Sequence, residues 1–370
     1  MRIGIMLRHI GEAGGIVTYS HNLLQGFFRV APDNEYHLFY NDPKQIGMYA
    51  QHGCVREHLL PGANKLLWDQ WSVPRAASRL DLDLIFNPKL SIPLFARQPC
   101  ILVLRPEQFV HPELFRWLDR KYFKLFIPRY CRAARYILAP TRQASQDIVE
   151  YIGADPAKMV TVHEAAGEHF FRPAPPQAEL ARVRKKYGLP ERYVLFVGGL
   201  TPLKNFERLV KAFALVRQSE DIELVVVGFK RWKFEQDVAF ALNHPVSEHI
   251  HFPGFVEDLD LPWVYRMAQV LFFPSIYEGF GIPVCEAFAT GCPVIAANRG
   301  CSPEVAGEAA VLVDPFSVEN MAQGLKRVVS DQSLRQDLIA KGLARAPLFR
   351  FDRTAKQTLE VFQRAIQKSS

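Results

Sequence analysis

Short runs of aliphatic and β-branched residues alternate with longer stretches of helical periodicity along almost the whole chain. "RIGIML" (2–7) reads as a strand buried on both faces, because it carries no apolar–polar alternation. "GEAGG" then breaks the pattern, and "IVTYSHNLLQGFFRV" places apolar residues three and four apart, which predicts an amphipathic helix. "EYHLFY" (35–40), "LDLIF" (82–86), "CILVL" (100–104) and "YILAP" (136–140) are further strands, with helical stretches between them. Strands joined through helices imply an α/β domain with a largely parallel sheet.

The pattern stops at "FFRPAPPQAEL" (170–180), where three prolines punctuate an alanine-rich polar stretch, and then restarts. "YVLFVGGL" is a strand entering a glycine turn and "NFERLVKAFALVRQ" a helix. "IELVVVG", "HIHFPGFV", "VLFFP", "PVIAA" and "AAVLVD" follow as strands, with the short helix "WVYRMAQ" among them. The reading is a first domain over 1–170, a linker over 171–188 and a second domain over 189–350. Two doubly wound α/β domains facing each other across a deep cleft are expected, with a last helix at about 353–370 that suits either domain. In such sheets a ligand sits at the carboxyl ends of the strands, and pockets favour domain interfaces.

Composition changes this picture in three ways. The 370 residues are too many for one comfortable core, and 49% hydrophobic residues are enough to fill two. An excess of 45 Lys and Arg over 38 Asp and Glu, formally +7, suits an anionic substrate, an anionic membrane surface or nucleic acid, or is simply an ordinary basic surface. Six cysteines, at 54, 100, 131, 285, 292 and 301, form no CxxC pair and no metal-ligand spacing, so they read as reduced thiols of a cytoplasmic protein without zinc chemistry. The N-terminus has too short an apolar run for a signal peptide, and no stretch approaches the roughly 18 apolar residues of a membrane span.

The candidate chemistry lies mainly in "FFPSIYEGFGIPVCEAFATGCPVI" (272–295), which sets Glu278 and Glu286 in one of the least charged regions of the chain. Unpaired buried charge is costly, so the two carboxylates need a purpose. Pro283 suits a first helical turn and Gly291 a helix end, which puts Glu286 near the helix start and Glu278 in the loop before it. The amides of Gly281 and Ile282 would donate to a phosphate, and Gly279 and Gly281 would let backbone approach a ligand. The carboxylates would accept hydroxyls of a sugar or ribose. The same residues also read as a helix-start acid and a solvent-facing loop acid. "VLFVGGLTPLKNFERLV" is the second candidate: a strand runs into Gly198 and Gly199, and Lys204 precedes a helix that Asn205 would cap. Lys204 would neutralise a leaving diphosphate, or is an ordinary solvated lysine. Neither GxxxxGK[ST] nor GxGxxG is present.

"FPSIYEGFGIPVCEAFATGCPVI" is similar to the signature of the retaining GT-B glycosyltransferases of family GT4, the glycosyl transferases group 1, with seven residues between its two glutamates. "GGLTPLKNFERLV", "HFPGFVEDLDLPWVYRMAQ", "GCSPEVAGEAAVLVDP" and "GEAGGIVTY" resemble the family in the same order, so the likeness spans essentially the whole chain. It implies two Rossmann-like domains in a GT-B fold, with "FRFDRTAKQTLEVFQRAI" crossing back onto the first. It also implies a nucleotide diphosphate sugar as co-substrate, GDP- or UDP-linked, with no cofactor and no metal. By the same resemblance Glu278 would hold donor hydroxyls, Glu286 the ribose and Lys204 the diphosphate, with Gly199 in the same phosphate-binding segment. The backbone from Gly279 and Phe280 to Ile282 would hold phosphate or sugar, Gly254 to Val256 would pass beside the base, and Gly14 and Gly15 would line the phosphate from the first domain.

Two departures stand out. The family's frequent RKN run is "LKN" here, with Leu203 in place of the arginine, and Lys230, Arg231 and Lys233 are the nearest candidates to restore the charge. Where relatives end a strand in a sugar-contacting histidine, this chain has Arg105, which would meet phosphate or an anionic acceptor but cannot serve as a neutral base; His111 is the alternative. The stretch "FVHPELFRWLDRKYFKLFIPRYCRAARY" interleaves aromatics with Arg and Lys, as does an amphipathic helix on anionic lipid or a sheet-packed helix with a solvated basic face.

The resulting expectation is a retaining, metal-independent transferase moving a hexose, with a lean to mannose, onto a glycan or lipid-linked saccharide. Polysaccharide or lipopolysaccharide synthesis is the setting, in the cytoplasm and peripherally on the inner membrane face. A sugar-nucleotide epimerase, a phosphorolysing enzyme of the same fold and a non-enzymatic basic binding protein are the alternatives. Nucleic acid is not an expected partner, because no modular motif for it is present.

Overall fold

The computed structural model describes residues 1–12, 14–62, 64–228 and 234–367. The chain divides into two compact units, Met1–Glu164 with Phe351–Ser370, and Ala165–Arg350.

The first unit is built on β1 (Arg2–Met6), β2 (Glu35–Tyr40), β3 (Val55–Leu59), β4 (Leu84–Asn87), β5 (Cys100–Val103), β6 (Tyr136–Ala139) and β7 (Met159–Thr161). They form one parallel sheet in the order β3-β2-β1-β4-β5-β6-β7. The central strands are the apolar runs of the sequence, and β4, β5 and β6 are buried at every position. Each fully buried Leu, Ile or Val stabilises the sheet by roughly 1.5–3 kcal/mol. The two edge strands escape a reading by hydrophobicity: "VREHL" and "MVT" each have one neighbour and carry no clear apolar period.

Helix Phe351–Gln367 belongs to this unit. It packs along helix Gly15–Val30, where a Cβ on Gly26 would come within 3.0 Å of the Phe351 carbonyl oxygen, so the glycine sets how closely the two backbones approach. Phe27 meets Phe362 at 5.7 Å between ring centroids, and Thr354 Oγ1 donates to the His163 carbonyl at 2.8 Å.

In the second unit β8 (Tyr193–Val197), β9 (Glu223–Val227), β10 (Ile250–Gly254), β11 (Val270–Phe273), β12 (Val294–Ala297) and β13 (Ala310–Val313) form a parallel sheet in the order β10-β9-β8-β11-β12-β13. The strand order reverses between β1 and β4 in one sheet and between β8 and β11 in the other. At such a point the two following loops leave in opposite directions and open a crevice at the carboxyl edge.

Residues 171–188, read as a linker, contain helix Gln177–Tyr187. Pro176 occupies its N-cap, so the prolines mark a helix start and not an open tether. The helix is fastened to the second unit through buried Asp260, which accepts from Arg182 Nη2 at 2.5 Å, Lys186 Nζ at 2.8 Å and Tyr187 Oη at 2.8 Å.

Candidate active site

The site in the second unit begins where β8 leaves the sheet. Gly198, with φ of 148°, turns the chain off the strand while its amide still bonds the Val227 carbonyl at 2.9 Å. Gly199 follows, and a 3-10 turn over Pro202–Lys204 ends at Asn205, whose φ of 58° is left-handed. Asn205 makes no capping bond, contrary to the sequence expectation. Its side-chain amide instead donates to the carbonyls of Pro274 at 3.2 Å and Pro315 at 2.6 Å, and the Ile276 amide donates to the Leu203 carbonyl at 2.8 Å. The loop after β8 is thereby sewn to the loop after β11, across the point where the strand order reverses. Leu203, in the place of the family's arginine, serves this seam through its backbone.

The stitching brings Lys204 Nζ to 2.5 Å from Glu278 Oε1, both side chains being largely shielded, and holds the ammonium 5.1 Å from the centre of the Phe273 ring. Downstream, Gly281 takes φ of 92° at the N-cap of helix Ile282–Thr290, and a Cβ there would stand 3.2 Å from the Phe273 ring. Pro283 has no N–H and the Val284 amide is bonded to the Gly281 carbonyl, which leaves the Gly281 and Ile282 amides as the donors of this turn. Gly279 and Phe280 precede it. Phe280 is buried, its ring lying edge-on to Phe349 at 5.8 Å and its carbonyl accepting from Cys301 Sγ at 2.9 Å, so it anchors the loop to the core.

Glu286 stands one turn into the helix and is partly exposed. Its Oε2 accepts from the Tyr265 hydroxyl at 2.6 Å. Burial pushes the carboxyl up to about 7; the Tyr265 bond works against this, Asp258 adds to it and Lys204 opposes it. Tyr265 and Asp258 were not singled out by sequence reasoning. Tyr265 lies in an apolar helical run, where a buried phenol is indistinguishable from a packing aromatic until its partner is known.

Beside this pair a groove runs over the carboxyl ends of β8, β9 and β10, walled by Gly198, Gly199, Gly228, Gly254, Val256 and Asp258 among others. Gly254 has φ of 78° with open space where a Cβ would lie, whereas Val256 is buried beneath the groove. Gly228 also escaped the sequence reading. A Cβ on it would lie 1.9 Å from the Gly198 carbonyl oxygen, so two bare glycine backbones make this wall. A flat ring stacked on backbone with a carboxylate at its edge is the kind of guest that such a groove suits.

The remaining predicted residues lie in the first unit. Gly14, with φ of 129°, is the N-cap of helix Gly15–Val30, its carbonyl accepting from the Val17 and Thr18 amides, and nothing lies within 4 Å of a Cβ built on Gly15. Arg105 follows β5 and is already engaged. Its Nε donates to Glu164 Oε1 at 2.8 Å, Nη2 is ion-paired with the same oxygen, and the guanidinium lies 4.8 Å from the centre of the Tyr19 ring. Burial works against its charge, and Glu164, Tyr19 and Glu107 outweigh burial to hold it protonated. With its side chain only 16% exposed, Arg105 is first of all the partner of Glu164. His9, next to this cluster, is pushed down to about 4 by burial and by Lys89, and its Nε2 lies 2.8 Å from Ser20 Oγ. His111 pairs with Glu113 at 3.1 Å. Lys230, Arg231 and Lys233 lie outside the described residues. Among the described residues no group of three or more His, Cys, Asp or Glu is arranged to hold a metal ion.

Residues 180–345 match the family described as glycosyl transferases group 1. The matched segment makes up a little under half of the chain. The O-antigen chain mannosyltransferase B of Escherichia coli is 29% identical to it over 248 residues, 66% of this chain and 64% of that one. A D-inositol 3-phosphate glycosyltransferase of Salinispora tropica is 33% identical over 251 residues, 62% of this chain and 51% of that one. The matches thus span less than two thirds of either relative's length. Among solved structures, sucrose-phosphate synthase from Thermosynechococcus elongatus superimposes with a TM-score of 0.81 over 100% of both chains at 18% identity. The two parallel sheets flanked by helices are the GT-B fold. Lys204, Glu278, Glu286 and the glycine-walled groove all fall within the segment matched to the group 1 glycosyl transferases, and Gly14, Gly15 and Arg105 fall outside it.

Proposed function

We propose that the chain is a retaining glycosyltransferase that moves a hexose from a nucleotide diphosphate sugar to a glycan or lipid-linked saccharide in cell-surface polysaccharide synthesis. The observation that carries this reading is the meeting of Lys204 and Glu278 at 2.5 Å where the strand order reverses, with the Gly281 and Ile282 amides one turn away and the glycine-walled groove alongside. A cation and helix-start amides suit a diphosphate, a carboxylate suits sugar hydroxyls, and a flat groove suits a base. The likeness to an O-antigen mannosyltransferase supports mannose as the sugar.

In this reading Lys204 exchanges Glu278 for the donor diphosphate, and Glu278 turns to the sugar hydroxyls. Glu286 accepts from the ribose, and the base lies along Gly254 to Val256. The bond from C1 to the phosphate oxygen breaks with its electron pair leaving on the diphosphate, whose charge Lys204 and the two amides stabilise. The acceptor oxygen bonds C1 on the same face, and its proton passes to the departing phosphate oxygen. Arg105, in the first unit, is a positive charge tied to Glu164.

UDP-, GDP-, dTDP- and ADP-sugars distinguish this reading by thermal shift. At a hundredfold excess over Kd, the true donor stabilises the protein by roughly 2.7 kcal/mol. Glu286→Ala is expected to weaken that binding roughly tenfold or more, as loss of a charged hydrogen-bond acceptor does. Absence of stabilisation by all four sugars would reject the donor site. Transfer requires donor and acceptor together, whereas an epimerase turns over the nucleotide sugar alone.

The acceptor's carrier is read from helix Trp117–Ala133. Arg116, Arg120, Lys121, Lys124, Arg129 and Arg132 are exposed along it, against one exposed acid, Asp119. Trp117, Leu118 and Leu125 are 55%, 63% and 50% exposed among them, too apolar for a face meant only for water. Cations beside large apolar tips fit an anionic inner-membrane surface, on which the helix lies flat. No helix among the described residues is long and apolar enough to cross a membrane. Vesicles containing phosphatidylglycerol should float the protein at low salt and release it at high salt, and the double variant Arg120→Glu, Lys124→Glu should not float. Flotation of that variant equal to wild type would remove the membrane from the proposal.

A further inference from the structure

The contact between Tyr265 and Glu286 is tighter than incidental packing requires. Tyr265 is wholly buried, and its hydroxyl lies 2.6 Å from Glu286 Oε2. The phenol is not free to turn away. Phe170 meets its ring edge-on at 5.8 Å, and the short helix that carries it, Leu261–Met267, is tied down by the Tyr193 hydroxyl, which donates to the Val264 carbonyl at 2.6 Å. Glu286 by contrast is partly exposed, so one carboxylate oxygen is held from beneath while the carboxylate as a whole is still reachable by a ligand.

From this geometry we infer that Tyr265 is a positioning residue for nucleotide recognition, its buried O–H fixing the orientation of the Glu286 carboxylate that receives the ribose hydroxyls. The inference rests on the donor-site reading for the identity of the guest; the clamp itself rests on the hydrogen bond. A carboxylate takes two hydroxyl donors as acceptor only, while a carboxylic acid spends one oxygen on its own proton. Left to burial alone, Glu286 would be protonated well into the neutral range, so the donor beneath it decides which form meets the nucleotide.

Lys204, from the loop after β8, favours the carboxylate, and Asp258, from the loop after β10, disfavours it. Cys285 and Cys292 border Tyr265, whose own ionisation burial and Glu286 push far upward, so the phenol remains a donor. The direction of the pH effect follows. Glu286 sits at about 7 with the Tyr265 bond in place, and that bond lowers it. Nucleotide affinity therefore weakens as pH falls through about 7 in the native protein. Without the hydroxyl the carboxyl titrates higher, so affinity is already lost at a higher pH.

Tyr265→Phe keeps the ring and removes the donor. With glutamate carrying carbon-13 at its carboxyl, the Glu286 resonance, recognised by its absence in Glu286→Gln, should titrate about one pH unit higher in the full-length variant than in wild type. Calorimetry with GDP and UDP from pH 6 to 9 should show a loss of roughly tenfold near neutrality that shrinks toward pH 9. In turnover the donor KM rises and kcat changes little. An unchanged carboxyl midpoint overturns the clamp, and so does an affinity loss of the same size at every pH, which marks a merely structural tyrosine. A shifted midpoint with no binding of either nucleotide by the wild type leaves the clamp standing and refutes the donor-site reading instead.

Discussion

Lys204→Ala is expected to lower kcat for sugar transfer by roughly 10²–10³-fold, the cost typical of removing one preorganised donor from a developing charge. The thermal midpoint should move by no more than a few degrees. The lysine stands 2.5 Å from Glu278 and beneath the turn at Gly198, at the phosphate end of the proposed donor. Its absence leaves the departing diphosphate with the Gly281 and Ile282 amides alone, and these cannot follow charge as it moves from the bridging oxygen to the terminal phosphate. Leu203 adds no charge in compensation. Steady-state rates with saturating donor and acceptor, read beside a melting curve, decide the matter. A kcat within threefold of wild type would remove Lys204 from the chemistry.

Gly228→Ala is expected to be the most damaging single methyl in the second unit. Its Cβ would sit 1.9 Å from the Gly198 carbonyl oxygen and 2.7 Å from that carbonyl carbon, and both are backbone, so no rotamer relieves the contact. The ends of β8 and β9 must part, weakening the bond from the Gly198 amide to the Val227 carbonyl and closing the groove that the two glycines wall. A cost of about 3 kcal/mol, typical of overpacking that the backbone must absorb, corresponds to a fall of roughly 6–12 °C in Tm. Nucleotide binding should be lost with it. Gly15→Ala is the matched control, since nothing lies within 4 Å of the added Cβ, and its Tm should stay within about a degree or two. A melting curve for Gly228→Ala that overlays the wild type would show that the two loops are free to separate and would sink this account of the groove.

Much of the fold was legible in the order of the residues. Central strands such as "CILV" and "VLFF" are buried on both faces and so appear as unbroken apolar runs, which no neighbour can disguise. The edges of the first sheet were not legible. β3 and β7 have one partner each, and their mixed composition leaves no period to read. Prolines at 173, 175 and 176 signal a break whether they end a domain or open a helix, and only the grip of Arg182 and Lys186 on Asp260 shows that the helix after them belongs to the second unit.

The candidate site divides along the same line. The signature around Glu278 and Glu286 is local: glycines, a proline and two carboxylates within one strand, loop and helix carry their meaning in their spacing. That spacing, with the family resemblance, points to the residues proposed here for a phosphate and for hydroxyls. Tertiary structure decided what charge and freedom they have. Lys204 is 74 residues from Glu278 in sequence and meets it because Asn205 sews two loops together, a role invisible in a residue that reads as a helix cap. Arg105 reads as a free cation until Glu164 and Tyr19 enclose it. Tyr265 and Gly228 pass unnoticed in a helical and a strand run, because a hydroxyl that holds a carboxylate and a missing methyl that admits a backbone act only on what the fold places opposite them.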